Sequence, residues 1–135
     1  MRVLNRLDYA VRALVELALR DGEGPVAARE IAARRNIPDA FIHQVMASLA
    51  RAGMIRSTRG PSGGHQLAIP PERITIADIA SAVDAGNEQL SDGGDPVRRF
   101  WNGLYDVQST YLTNMTLAGL AAQYADRQTA VSYSI

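Results

Sequence analysis

The stretch AREIAARRNIPDAFIHQVMASLARAGMIRSTRGPSGGHQLAIPP, residues 28–71, decides the fold. Its first eight residues read as a short helix that turns Ile31 and Ala32 inward. Asn36-Ile37-Pro38 interrupts it, and Pro38 suits the opening of a second helix over residues 39–52. In that second helix Phe41, Ile42, Val45, Met46 and Leu49 recur at helical spacing on one side, and Gly53 stops the run. Two short helices separated by a tight break form the helix-turn-helix pattern. Met54 to Thr58 and His65 to Ile69 then read as strands around the tip Arg59-Gly60-Pro61-Ser62-Gly63-Gly64, a β-hairpin placed where a wing would be.

Upstream, Leu4, Leu7, Val11, Leu14 and Ala18 recur at spacings of three and four, so residues 5–20 predict an amphipathic helix that ends in Asp21-Gly22-Glu23-Gly24-Pro25. Downstream, Thr75 and Asp78 have the spacing of a capping box, and Ile74 can staple to Ile79, which predicts a helix from Ile76 to Asp84. The small and polar residues that follow read as a flexible loop. Asp95 and Pro96 then open a long helix carrying Val97, Phe100, Trp101, Leu104, Val107, Tyr111 and Leu112 at helical spacing. A last helix, capped by Thr116, is expected from Leu117 to Asp126, with a frayed tail after it. The expected organisation is therefore a winged helix-turn-helix domain over 1–84, a loop over 85–95, a dimerisation helix and C-terminal helix over 96–127, and a tail over 128–135. The fold class is mainly α with a small β-hairpin wing.

A chain of 135 residues with 47% hydrophobic and 21% charged residues has the composition of a globular protein with one core. Cysteine is absent, which excludes disulfides, thiolate metal ligands and a cysteine nucleophile. No cleavable leader pattern and no apolar run of bilayer length are present, so the expected location is the cytoplasm. The net charge of zero conceals an asymmetry: residues 1–73 hold eleven Arg against seven acids, and residues 74–135 hold three Arg against seven. All fourteen basic residues are Arg, whose planar fork of donors suits phosphate and guanine.

If the second helix of the pair buries its apolar side, Ala40, His43, Gln44, Ala47, Ser48 and Arg51 form its outer face. Short side chains there let a backbone approach a major groove, and His43 and Gln44 carry the groups that reach base edges. The same face would also serve as an ordinary solvated surface, and the wing decides between the two. Arg59 stands at a tip where Gly60, Gly63 and Gly64 allow close approach, with Arg56 just before it, the arrangement that suits an arginine inserted in a minor groove. A protein-docking module built on the same surface is the alternative, and the arginine-bearing wing favours nucleic acid. Val97, Phe100, Trp101, Leu104, Val107 and Tyr111 are the candidate dimer interface. Trp101 and Tyr105 would otherwise line a pocket for a small-molecule effector. His43 and His65 are the only histidines and neither has a partner at metal spacing, so no metal site is expected. No nucleophile elbow or paired carboxylates point to an enzyme.

Met1-Arg2-Val3-Leu4, Asp8-Tyr9-Ala10-Val11-Arg12, Leu49-Ala50-Arg51-Ala52-Gly53-Met54-Ile55, the Arg59 to Gly64 tip and Ser81-Ala82-Val83-Asp84 together resemble the Rrf2 family of winged-helix transcription regulators. That family includes an iron-sulfur cluster regulator, a nitric-oxide-sensing repressor and a repressor of cysteine metabolism. The resemblance runs from residue 1 to about residue 124, and the wing is its most specific part. It implies a homodimer held by the long helix, Arg59 in the minor groove and the residues around His43 in the major groove; the expected function is that of a repressor on a pseudo-palindromic operator. Two departures matter. His65 stands where the family usually has an aromatic residue, and the three cysteines of the cluster-binding members are missing, so no iron-sulfur cofactor is expected. Asp8 matches an acidic cluster ligand of some members, but without thiolates it reads as a helix-start carboxylate favoured by the dipole.

Overall fold

The computed structural model describes residues 2–83 and 91–133. Among these described residues, six α-helices and one two-stranded antiparallel sheet follow in the order α1 (Arg2–Leu19), α2 (Ala28–Arg35), α3 (Asp39–Arg51), β1 (Ile55–Thr58), β2 (Gly64–Leu67), α4 (Ile76–Ala82), α5 (Pro96–Asn114) and α6 (Leu117–Tyr133). A 3-10 turn at Pro71–Arg73 leads from the wing into α4.

The core forms around α1. Ala10, Ala13, Leu14 and Leu17 are all but fully buried, and they follow the i, i+3, i+4, i+7 rule of a single helical face. Against them pack Ile31 of α2, Ile42, Met46 and Leu49 of α3, Ile79 of α4 and Leu117 of α6. Burying a side chain of this size contributes about 1.5–3 kcal/mol. The turn between α2 and α3 is closed by Asn36 in the left-handed region (φ 56°), whose backbone N–H returns to the carbonyl of Ala32, while Ile37 is buried beneath it.

The wing pairs Ile55 with Leu67, Arg56 with Gln66, Ser57 with His65 and Thr58 with Gly64. Its second strand also bonds to the segment before α2. The Val26 N–H donates to the His65 carbonyl and the His65 N–H to the Val26 carbonyl, both at 2.8 Å. A Cβ on Gly64 would collide with the Val26 carbonyl, and one on Gly63 with the Thr58 carbonyl, so both glycines are required by close backbone approach.

The helix starts follow their caps. The Asp78 N–H donates to Thr75 Oγ1 at 3.1 Å and the Thr75 N–H to Asp78 Oδ2 at 3.0 Å, completing the capping box, while Ile74 and Ile79 are both buried. Asp95 Oδ1 accepts from the Val97 N–H at 3.0 Å, with Pro96 in the first turn of α5. The junction of α5 and α6 is stitched to the start of α4: the Ile76 N–H donates to the Met115 carbonyl (2.9 Å) and the Leu117 N–H to the Ile74 carbonyl (2.8 Å). Helix α6 then lies along α1, and the last helix of the chain thereby closes the N-terminal core.

Across that core runs an ion network. Glu16 on α1 is 1% exposed, accepts from Arg35 Nε of α2 at 2.7 Å and lies 3.7 Å from Arg20 Nη1. The Arg35 guanidinium sits 4.8 Å above the Tyr124 ring of α6. Arg20 also donates to Glu30 at 2.7 Å, and that bond holds the Glu30 carboxyl below its usual pKa. Two arginines, Arg20 just past α1 and Arg35 at the end of α2, thus meet at one buried carboxylate of α1, and through them the network reaches Glu30 of α2 and Tyr124 of α6.

Three expectations are corrected. Phe41 does not face the core. It is 46% exposed, because the buried stripe of α3 is centred on Ile42, Val45, Met46 and Leu49 and leaves Phe41 at its edge. Asp8 is not a helix-start carboxylate: α1 begins at Arg2, so Asp8 lies beyond the first turn and pairs with Arg12 at 2.9 Å. The backbone stays helical to Tyr133 instead of giving way to a tail after residue 127, as no Gly or Pro follows Gly119 to break it. Most of the loop expected at 85–95, and the residue Asp84 expected to end α4, lie outside the described residues.

Candidate nucleic-acid interface

The outward side of α3 is as small-residue spacing demands. Ala40, His43, Gln44, Ala47 and Arg51 are exposed and Ser48 is half-buried, while the opposite side anchors the helix through Ile42, Val45, Met46 and Leu49. Arg51 Nη2 donates to Ser48 Oγ at 3.3 Å, which holds the guanidinium along the helix surface. Arg56 and Arg59 are exposed on the wing. Among the described residues Arg51, Arg56 and Arg59 have no carboxylate partner, whereas Arg12, Arg20, Arg34, Arg35 and Arg99 are all ion-paired. The tip turns on Gly60 (φ 109°), and the Gly63 N–H donates to the Gly60 carbonyl at 3.0 Å.

His65 lies on β2 one residue past the glycine tip of the wing, with Nδ1 2.8 Å from Ser57 Oγ across the strand pair. Burial, and secondarily the proximity of His43, push its pKa below the ordinary imidazole value, so the ring is neutral at pH 7. No cluster of three or more His, Asp or Glu able to hold a metal ion occurs among the described residues.

Side chains that spacing did not single out also border this surface. Between α1 and α3 lies a cavity of about 370 Å³, walled by Tyr9 and Phe41 and reaching Gln44 and Ser48. The two rings stack with centroids 5.6 Å apart and planes 24° from parallel. Apolar spacing reads Phe41 as a core residue, so spacing does not mark it as the wall of a cavity.

The candidate dimer residues stand together. Of the seven large apolar side chains most exposed among the described residues, six are Val97, Phe100, Trp101, Leu104, Val107 and Tyr111, all on α5, and none of the α5 residues is buried. Trp101 packs edge-on against Phe100, centroids 5.1 Å apart.

Residues 3–123 match the profile of a family described as Rrf2, iron-dependent transcriptional regulator. The HTH-type transcriptional regulator CymR of Bacillus subtilis is 30% identical over 138 positions, spanning 100% of both chains. The HTH-type transcriptional regulator IscR of Aliivibrio salmonicida is 31% identical over 142 positions, which cover 95% of this chain and 84% of that one. Among solved structures, T. potens IscR has a TM-score of 0.79 at 29% identity, covering 91% of this chain and 88% of its own. The structure of CymR, the global cysteine regulator of B. subtilis, has a TM-score of 0.75 at 29% identity, covering 87% and 94%. The iron in the family description finds a poor donor set in this chain. Cysteine is absent from the whole sequence, and Asp8 is engaged by Arg12. Oxygen donors alone do not match the thiolate preference of iron-sulfide.

Proposed function

The chain belongs to the Rrf2 family of transcriptional regulators, and from that membership we propose that it acts in the cytoplasm as a repressor, binding a pseudo-palindromic DNA operator as a homodimer. Residues 1–84 carry the DNA-binding unit and 96–127 the dimerisation helix and the helix after it. Helix α3 lies in the major groove, where Ala40, Ala47 and Ser48 permit close approach and His43 and Gln44 read base edges. Arg51 and Arg56 meet phosphates, and Arg59 reaches the minor groove on a tip that Gly60, Gly63 and Gly64 keep slim. The observation that carries this reading is the shared exposure of the α3 face and the wing, with three arginines that no described carboxylate neutralises. The chemistry is recognition and not catalysis.

Mobility shifts on genomic operator fragments test it. Affinity should fall with salt at a slope of about −0.9 per phosphate neutralised. Arg59→Ala should weaken binding roughly ten- to hundredfold, the loss of a charged hydrogen-bonding contact, with the fold retained because the side chain is exposed. Unchanged operator affinity in Arg59→Ala would remove the wing from the mechanism. No shift at low salt would favour the protein-docking reading of the same surface.

The regulator also works without an iron-sulfur cluster in this reading, and its signal comes from a small molecule or a protein partner. The support is the donor set: Ser91, Asp92 and Asp95 are the described side-chain oxygen groups between residue 91 and α5, Asp92 is held by Arg99 at 3.3 Å and by the Gly94 N–H at 2.8 Å, and Asp95 caps α5. Anaerobic incubation with iron and sulfide should produce no visible charge-transfer band and no change in operator affinity. A stable cluster that alters DNA binding would contradict it.

A further inference from the structure

The cavity between α1 and α3 has the dimensions and lining of a small-ligand site. Its volume, about 370 Å³, lies within the range of pockets that hold small molecules. Val45 and Val83, both buried, form an apolar floor, and the Tyr9 and Phe41 rings form a wall. Such a wall favours a flat π-system that can stack beside it. At the rim stands Arg6, exposed and without a carboxylate partner among the described residues. An unneutralised guanidinium at the mouth of an aromatic-walled cavity complements a carboxylate or another planar anion.

We propose that this cavity binds a planar aromatic anion, about the size of two fused rings with one carboxylate, and that its occupant competes with operator DNA. The ring system lies against Tyr9 and Phe41, and the anionic group meets Arg6. Competition follows because Gln44 and Ser48 border the cavity and also belong to the α3 face assigned to DNA, so a bound molecule withdraws the Gln44 amide from base edges. This second half rests on the reading of α3 as the recognition helix. Ligand binding itself does not.

Titration of the DNA-free protein with 2-naphthoate, followed by calorimetry and by the ring proton signals of Tyr9 and Phe41, tests the first half. Saturable binding of one molecule per chain is expected, with both ring signals shifted. Arg6→Gln should weaken 2-naphthoate about tenfold or more while leaving the uncharged 2-naphthamide unaffected. Phe41→Ala, a change at an exposed position, should weaken both compounds. Absence of saturable binding by the wild type, or equal affinity of wild type and Arg6→Gln for the acid, overturns the site. Loss of operator affinity in Arg6→Gln without any naphthoate binding overturns it too, and assigns Arg6 to a phosphate contact. With operator present, 2-naphthoate should raise the apparent Kd for DNA. Binding of the acid with no change in that Kd overturns the competition and leaves the site. Failure to bind any operator counts against the DNA reading, while the titration without DNA still decides the site.

Discussion

Glu16→Ala is expected to lower folding stability by about 3–5 kcal/mol, the usual consequence of removing one partner from a buried ion pair. Glu16 is 1% exposed and its Oε1 holds the Arg35 guanidinium at 2.7 Å, while the Arg35 side chain is itself only 14% exposed. Removing the carboxylate leaves that cation buried with only the Tyr124 ring and little water to offset it. Chemical denaturation of the variant measures the effect. The direction can be separated from simple loss of volume, because the double replacement Glu16→Leu with Arg35→Met removes both charges and should recover most of the stability. A single Glu16→Ala variant within about 0.5 kcal/mol of the wild type would show that the pair is not buried in solution. Since Arg35 and Tyr124 join α2 to α6, the same variant should also loosen the last helix, seen as faster amide exchange there.

Leu104→Glu combined with Phe100→Glu is expected to convert the protein to a monomer and to reduce operator affinity by about 10²–10⁴, the avidity lost when two half-sites are no longer joined. Both side chains are exposed on α5, at 41% and 66%, so the substitutions leave the core of each chain intact. Six large apolar residues on one helix form a contiguous patch of the kind that monomeric proteins rarely leave in water. Covering a half-exposed side chain of this size contributes on the order of 1 kcal/mol, so the stripe as a whole can offset the entropic cost of association only when most of it is covered. Two glutamates in its middle would place like charges opposite one another across a two-fold axis. Sedimentation velocity and circular dichroism check the outcome. A variant that remains dimeric would place the interface elsewhere.

The parts of the fold that residue patterns revealed are those governed by local chemistry. Thr75 and Asp78 cap α4 because each side chain bonds a backbone N–H three residues away, and that reciprocity is visible as spacing. The wing is visible because Gly63 and Gly64 occupy points where backbone approaches backbone. The α5 stripe is visible because its apolar residues recur at helical spacing on one face, and the chain leaves that face exposed. Contacts made across long separations were not visible. Glu16 and Arg35 are nineteen residues apart, and nothing in either neighbourhood marks them as partners. Phe41 illustrates a different limit: adjacent helical positions differ by about 100°, so apolar periodicity places the centre of a stripe better than its edges. The α1–α3 cavity depends on that edge and was missed with it. The end of α6 was missed because a helix without Gly or Pro after Gly119 carries no local stop, and apolar spacing thins out before the backbone hydrogen bonds do.

Whether a two-fold protein sits on a two-fold operator is decided by measuring the mass of the complex between the intact protein and a selected operator duplex while footprinting the same complex with hydroxyl radicals. Two chains per duplex are expected, with two protected patches centred about one helical turn apart and related by the dyad of the sequence. One chain per duplex with a single protected patch, at concentrations where binding is saturated, would contradict it.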